Sequence, residues 1–112
     1  QALAQLATAV PVAQAGVFGV SVLAADQRAL AQWFATPGRP LHGQLDRAPH
    51  RRGPHTDMAL LDGALMHLEC RVTTSHAAGD HMIVVAEVLS ITLPDDVGPA
   101  LVHFRGSYGS IA

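Results

Sequence analysis

The sequence of 112 residues predicts a mainly β fold, a small antiparallel β-barrel with one or two short helices on its outside. Two stretches carry this prediction: "LMHLECRVT" alternates between apolar and polar residues, and "HMIVVAEVLSI" is an apolar run rich in β-branched residues. A Gly-Asp pair stands just before the second stretch, as expected of the turn of a hairpin. The length fits one domain, residues 1–112, with a single core.

A helical segment and a strand are expected ahead of this hairpin. Residues 1–14 are rich in Ala, Gln and Leu, and they are expected to run from a strand into a short helix near Pro11, which Gly16 ends. The segment "VFGVSVL" that follows is strand-like because it combines β-branched and aromatic residues. Its small residues, Gly19 and Ser21, fall at alternate positions and therefore share one face.

The segment "DQRALAQWFA" predicts a second short helix, with Asp26 as its N-cap and Pro37-Gly38 as its stop. Its apolar stripe, spaced i, i+3 and i+4, consists of Leu30, Trp33 and Phe34. Residues 36–57 have no period and contain several prolines, glycines, histidines and arginines, so they are expected to form one long loop.

The two arms of the predicted hairpin differ in their patterns. In the first arm the residues expected to face inward are Met66, Leu68, Cys70 and Val72, and those expected to face outward are His67, Glu69, Arg71 and Thr73. The second arm is apolar on both faces, which predicts that it lies inside a closed or covered sheet. "PALVHFRG" is expected to be the last strand, followed by a glycine-punctuated tail.

Composition and charge exclude several classes of protein. Hydrophobic residues make up 49% and charged residues 14% of the chain, which excludes an ordinary disordered segment and predicts a surface partly covered by a partner, by default in a homodimer. A net charge of −2 does not indicate a nucleic-acid partner, and no apolar stretch is long enough to cross a membrane. The single cysteine favours a reducing, cytoplasmic location.

The residues alone give no strong catalytic or metal motif. The seven histidines show neither an i, i+4 helical pair nor a zinc-like spacing with cysteine, so no metal site is predicted. Cys70 is expected to be structural because it lies on an inward face. The basic loop segment "RAPHRR" is interpreted as solvated, with phosphate binding as the alternative. Glu87 is expected to form a structural ion pair with Arg71 or Arg105.

The order of motifs resembles the flavin reductase-like family, the FMN-binding split barrels. The resemblance covers nearly the whole chain from Ala15 onward, and its most specific pieces are Leu68-Glu69-Cys70, Gly79-Asp80-His81 with Glu87-Val88, and Arg105-Gly106-Ser107-Tyr108. It implies a dimeric split barrel that binds FMN or FAD near the subunit interface and takes a hydride from NADH or NADPH. Many members supply the reduced flavin to a partner monooxygenase.

The resemblance also implies roles for individual residues. His81 is implied at the hydride-transfer site, where its N–H would steady the nicotinamide or the negative charge of reduced flavin. The other implied contacts of the cofactor are Thr8, Ser21, Gly79, Asp80, Arg105 and Tyr108. Thr8 would be a remnant of the Ser/Thr segment that lines the flavin phosphate site, and Ser21 stands where the family commonly has asparagine.

Two features leave alternatives open, namely Ser21 at the position of the family's asparagine and the start of the chain. The family's first strands usually carry the flavin-phosphate segment, and the resemblance implies that these strands are lacking here, through omitted residues rather than a natural mini-barrel. The alternative function is therefore a flavin-binding or structural split-barrel module without turnover. A barrel that binds haem through His81 or His103 is a more distant alternative.

Overall fold

The computed structural model describes residues 15–36, 45, 48–94 and 98–112. The helical elements and strands in this part of the chain are, in order, β1 Val17–Val22, a 3-10 helix Ala25–Gln27, α1 Arg28–Ala35, β2 His50–Arg52, β3 Ala59–Leu61, β4 Met66–Ala78, β5 His81–Thr92, β6 Ala100–Phe104 and β7 Ser107–Ile111. The predicted mainly β, antiparallel fold is confirmed. The pairings among the described residues form three separate sheets, and closure into a split barrel is not among them.

The central sheet has the strand order β1-β4-β5. Strand β1 pairs with the first half of β4, from Val22 opposite Met66 to Val17 opposite Arg71. From Thr73 to Ala78, β5 is the one described strand that pairs with β4, and the β4–β5 pairing has two register shifts, between Glu69 and Cys70 and between Val72 and Thr74. Both predicted strands of the hairpin and the predicted strand β1 are therefore confirmed.

Strand β2 lies within the segment 36–57 that the sequence predicted as a loop, and its partner β3 begins two residues after that segment ends. His50 to Arg52 pair with Leu61 to Ala59, and the N–H of Gly53 donates to the carbonyl of Met58 at 2.9 Å. Strands of three residues are too short to show an alternating pattern, so periodicity could not reveal them. The prediction of one continuous loop was wrong here.

Helix α1 follows the predicted stripe but has a different cap. Leu30, Trp33 and Phe34 are half-buried, whereas Arg28 is exposed. The N–H of Ala24 donates to Oε1 of Gln27 at 2.9 Å, so Gln27 supplies the capping contact of the 3-10 helix. Asp26 lies inside that helix, and its prediction as the N-cap was wrong. The expected elements in residues 1–14, and the stop at Pro37-Gly38, lie outside the described residues.

The C-terminal segment is a hairpin rather than a tail. Strands β6 and β7 pair from Ala100 opposite Ile111 to Phe104 opposite Ser107, through a turn in which Arg105 and Gly106 have positive φ values of 53° and 76°. The predicted strand is confirmed, but the glycine-punctuated tail is its partner strand. The N–H of Leu101 donates to the carbonyl of Leu23, which fixes this hairpin beside β1.

The faces of the central sheet depart most from the sequence pattern. Cys70 is buried as expected, and Arg71 and Thr73 are exposed as expected, but His67 and Glu69 are buried as well. Hairpin β2–β3 covers their face, so the prediction that these two point to solvent was wrong. On β5 several apolar residues that were expected to be covered are exposed in this chain, namely Ile83, Val85, Val88 and Ile91.

Candidate functional site

The described residues that were predicted to form a site lie in three places, one of which is the β6–β7 hairpin with Arg105 and Tyr108. Gly79, Asp80 and His81 form the tip of the β4–β5 hairpin, whereas Ser21 lies in β1 opposite His67. His67 and Ala78, the residue before the tip, are eleven positions apart on β4, which is about 36 Å measured along the strand. One chain therefore does not bring His81 and Ser21 together.

The tip is a tight two-residue turn. Ala78 pairs with His81, and Gly79 has φ 63°, a conformation that glycine adopts without steric cost. Nε2 of His81 lies 3.5 Å from Oδ1 of Asp80, and 55% of the His81 side chain is exposed. The turn thus places the imidazole at the end of a strand, as predicted, and leaves the ring open to a ligand or partner. The carboxylate of Asp80 beside the ring was not predicted.

The tip is the end of a two-stranded segment, residues 73–86, which we call the arm. Every residue of its first strand is exposed, and Ile83 and Val85 on the second strand are 53% and 47% exposed. Among the described residues, no third strand pairs with the arm. A two-stranded ribbon with exposed apolar side chains is marginally stable in water by itself, so the arm has the character of a contact surface.

Ser21 lies in a cleft that runs along β1, which we call the β1 cleft. Its volume is about 300 Å³, and it is lined by Gly19, Ser21, Leu23, Ala31, Phe34, Leu45, Ala59 and Leu61. Oγ of Ser21 accepts a hydrogen bond from the N–H of Leu61 at 3.0 Å, so its own O–H remains for donation. The absence of a side chain at Gly19 lets β3 approach β1, because a Cβ atom there would stand 3.0 Å from the carbonyl oxygen of Ala59.

Glu69 fixes the hairpin that forms one wall of this cleft, and sequence reasoning missed it. Only 2% of Glu69 is exposed, and its Oε1 accepts hydrogen bonds from the N–H of His55, the N–H of Thr56 and the hydroxyl of Thr56 at 2.9–3.0 Å. A Cβ atom at Gly53 would overlap the carboxylate, so a glycine is required there. Burial by itself would raise the pKa of Glu69, but these hydrogen bonds outweigh it and lower the pKa below its ordinary value.

His67 makes a second polar contact between β4 and the hairpin. Its Nε2 lies 2.6 Å from the carbonyl oxygen of Leu61, so this nitrogen carries the proton and donates. Its Nδ1 then accepts from Nη2 of Arg51 at 3.4 Å. Together with Ser21 and Glu69, His67 holds hairpin β2–β3 against the sheet through polar contacts, which lie beside the buried side chain of Leu60 on β3.

Tyr108 lies at a second cleft, which we call the Arg28 cleft. Its volume is about 200 Å³, and its lining residues are Ala25, Arg28, Leu101, Tyr108, Gly109 and Ser110. The guanidinium of Arg28 lies 5.6 Å from the centre of the Tyr108 ring. Arg105, the other candidate on this hairpin, instead lies over Phe104 at 5.2 Å and lines neither cleft.

The remaining candidates have structural or solvated positions. Thr8 lies outside the described residues. Burial raises the pKa of the Cys70 thiol, so Cys70 has the character of a structural residue. Glu87 pairs with Arg71, as one of its two predicted partners, and both side chains are exposed. Arg51 and Arg52 of the basic segment are exposed.

The described residues contain no group of three or more His, Cys, Asp or Glu side chains that could hold a metal ion. Nor is any helix in this part of the chain long and apolar enough to cross a membrane.

Comparison with known proteins gives a consistent family. The model of the flavin reductase like domain matches residues 6–112. An NADH-dependent flavin reductase from Rhodococcus sp is 39% identical over 98 residues, which is 88% of this chain and 51% of that protein. The reductase component of a 4-hydroxyphenylacetate 3-monooxygenase from Thermus thermophilus is 35% identical over 108 residues, covering 96% of this chain and 64% of that protein.

Solved structures agree with the sequence comparisons. The flavin reductase component of a bacterial two-component tryptophan halogenase superposes with a TM-score of 0.85 at 38% identity, covering 94% of this chain and 66% of that one. An NADH:FAD oxidoreductase from Streptomyces globisporus gives a TM-score of 0.82 at 27% identity, covering 94% of this chain and 62% of that one. The chain spans between about half and two thirds of the length of these relatives. The match over residues 6–112, with the agreement in fold, means that this chain belongs to the flavin reductase like domain family.

Proposed function

We propose that this protein is an NAD(P)H-dependent flavin reductase, which binds FMN or FAD and supplies reduced flavin to a partner monooxygenase. The observation that carries the proposal is the family match over residues 6–112, together with relatives named as NADH-dependent flavin reductases and as monooxygenase reductase components. The reaction requires no protein nucleophile, and the buried Cys70 thiol is not available as one.

The β1 cleft has a lining that fits part of a flavin ring. Its walls are mostly apolar, and its volume of about 300 Å³ is at the lower end of small-molecule sites. Ser21 offers one O–H donor on this surface, since its oxygen already accepts from Leu61. A planar, mostly apolar ring with a few acceptor atoms along its edge matches a slot of this kind.

When bound, a flavin supplies a ring that accepts a hydride from a nicotinamide. In the proposed site Leu23 and Leu61 exclude water from one side of the cleft, and Ser21 orients the bound ring by hydrogen bonding. His81 donates an N–H to the nicotinamide or to the negative charge that develops on reduction, while Asp80 orients the imidazole. Gly79 permits the turn that presents both side chains.

We propose that the protein is a homodimer in which the arm of one copy completes the site of the other. Within one chain His81 and Ser21 are separated by most of the length of β4, and Ile83 and Val85 are exposed on the arm. Docking the arm on a second copy would cover these apolar side chains and bring an imidazole to a cleft. Closure of the strands into a split barrel is part of the same proposal, and the two register shifts between β4 and β5 support it, because irregularities of this kind bend a strand.

The cellular setting is also proposed. Cys70 is a free, buried cysteine, which suits a reducing compartment, so we propose a cytoplasmic location. The relatives differ in the flavin and the nicotinamide for which they are named. One is an NADH-dependent FMN reductase, another is an NADH-dependent FAD reductase, and a third is an NADPH-flavin oxidoreductase.

An absorbance titration tests the proposal. FMN is added to the purified protein, and NADH follows in the same cuvette; a perturbed flavin spectrum that bleaches on NADH addition is the expected result. His81→Ala is expected to lower kcat/KM for NADH about a hundredfold, because one donor to developing charge is lost. His55→Ala removes another exposed histidine side chain, from the 53–58 turn, and serves as the matched control.

Three other results would point elsewhere. A perturbed spectrum that does not bleach would favour a flavin-binding module without turnover. An unperturbed spectrum would leave a structural or interaction domain. Equal activities of His81→Ala and the parent protein would remove His81 from the reaction while leaving the reductase function in place.

A further inference from the structure

Backbone contacts join the two sides of the Arg28 cleft. Ala25 and Arg28 line one side and the β6–β7 hairpin lines the other. The N–H of Ala25 donates to the carbonyl of Pro99 at 2.9 Å, and Ala24 forms an isolated bridge with Ala100. The cleft shares no lining residue with the β1 cleft. It is therefore a separate cleft between two elements that are bonded to each other.

The charge of Arg28 is not neutralised within the part of the chain that the structure describes. The guanidinium stands over the face of Tyr108 and forms no ion pair with any described carboxylate. Arg71 is the contrasting case, because Glu87 balances its charge. Tyr108 is in turn packed against His103, with 5.0 Å between ring centres, which limits the freedom of the ring beneath Arg28.

The other polar side chains of the cleft carry hydroxyl groups that donate no hydrogen bond to a described residue. In these ranges of the chain, neither the Tyr108 hydroxyl nor the Ser110 hydroxyl forms a hydrogen bond with a described group. No carboxylate lines the cleft, so the lining suits an anion and not a metal ion. Gly109 leaves open space where a side chain would stand, so position 109 does not block the cleft.

We propose that the Arg28 cleft binds a phosphate group of a nucleotide. Arg28 supplies the charge and a planar pair of donors, and Tyr108 and Ser110 supply neutral donors. At about 200 Å³ the cleft is below the usual size of sites for drug-sized ligands, so it holds a phosphate and the sugar carbons beside it rather than a flavin ring. That the ligand is a nucleotide rests on the proposed reductase function; the phosphate chemistry does not.

The first experiment needs no flavin and no turnover. Inorganic pyrophosphate is titrated into the parent protein, Arg28→Ala and Arg52→Ala, and binding is followed by calorimetry. Arg28→Ala is expected to weaken binding about tenfold, the loss of one charge-assisted contact. Arg52→Ala removes the same charge from an exposed position on β2 and is expected to change binding less than about twofold, through the net charge alone. Tyr108→Phe keeps the ring, removes the hydroxyl and is expected to give a smaller loss than Arg28→Ala.

The second experiment identifies the source of the phosphate. If it belongs to the flavin, Arg28→Ala weakens FMN binding and leaves riboflavin binding unchanged. If it is the extra phosphate of NADPH, Arg28→Ala raises KM for NADPH and leaves KM for NADH and kcat unchanged. Equal pyrophosphate binding by Arg28→Ala and the parent protein, or equal losses in Arg28→Ala and Arg52→Ala, would overturn the proposal. Pyrophosphate binding that depends on Arg28 in a protein without NADH oxidation would overturn the reductase function and leave the phosphate site standing.

Discussion

The two halves of strand β4 differ in whether their side chains are buried. In the first half His67 and Glu69, both polar, are buried under hairpin β2–β3. In the second half, which lies in the arm, every residue from 73 to 78 is exposed, and the partner strand exposes Ile83 and Val85. Burial along this strand therefore follows the presence of a covering element and not the polarity of the side chain.

The comparison shows what each half requires. A buried carboxylate is tolerated only when its oxygens are hydrogen-bonded, and three donors from residues 55 and 56 meet that requirement for Glu69. Exposed β-branched residues on a long ribbon instead require a cover from outside the described chain. The first half is covered by other described residues, whereas the second half has no cover among them.

The largest expected effect comes from removing the carboxylate in the first half. Glu69→Ala is expected to lower the free energy of unfolding by roughly 3 kcal/mol, because two N–H groups and one hydroxyl lose their buried acceptor. Urea denaturation followed by circular dichroism measures the change.

Glu87→Ala is the matched control, since it removes the same group from an ion pair that is exposed on both sides. Its expected cost is below about 1 kcal/mol. Equal costs for the two variants would mean that the hairpin does not depend on Glu69.

The second effect concerns the arm. Ile83→Asp is expected to raise the dissociation constant of the proposed homodimer about a hundredfold, because the two-fold symmetry would bury two unpaired carboxylates. Sedimentation velocity over a range of protein concentrations measures the change, and the parent protein is expected to sediment as a dimer.

Ile111→Asp provides the control, because Ile111 is similarly exposed but lies on β7, away from the arm. It is expected to leave the dimer unchanged. A monomeric parent protein, or dissociation by Ile111→Asp and not by Ile83→Asp, would contradict the role given to the arm.

The sequence predicted the strands that are long enough to show a pattern. β1, β4, β5 and β6 were expected, as was the stripe of α1, because alternation and helical spacing need several consecutive residues to be visible. Strands β2 and β3 have three residues each and lie among prolines and glycines, so no periodic signal exists for them. Strand β7 was not predicted, because it contains a glycine, a residue that usually interrupts a strand pattern.

The candidate site was predicted less completely, for a related reason. The Gly-Asp-His turn is local, so its motif predicted its shape. The environments of Glu69 and Arg28 depend on residues distant in sequence, and a pattern along one strand carries no information about them. Gly53 before a Pro-His-Thr turn was the one available signal for the Glu69 contact, and it has meaning only once the hairpin is known to cover β4.

The smallest expected effect is the pH dependence of the first half. The pKa of Glu69 is lower in the folded protein than its ordinary value of 4.5, so its carboxylate stabilises the fold at neutral pH. This contribution is complete above the ordinary value and is lost as the pH falls from there through the folded-state pKa. Free energies of unfolding measured from about pH 7 down to about pH 3 should therefore fall less steeply in Glu69→Gln than in the parent protein. Glu87→Gln removes a charge from the exposed pair, so it separates the buried carboxylate from the general loss of one negative charge. If the fall of the free energy of unfolding with pH becomes less steep by the same amount in both variants, the stability of the hairpin comes from its other contacts, those of Ser21 and His67.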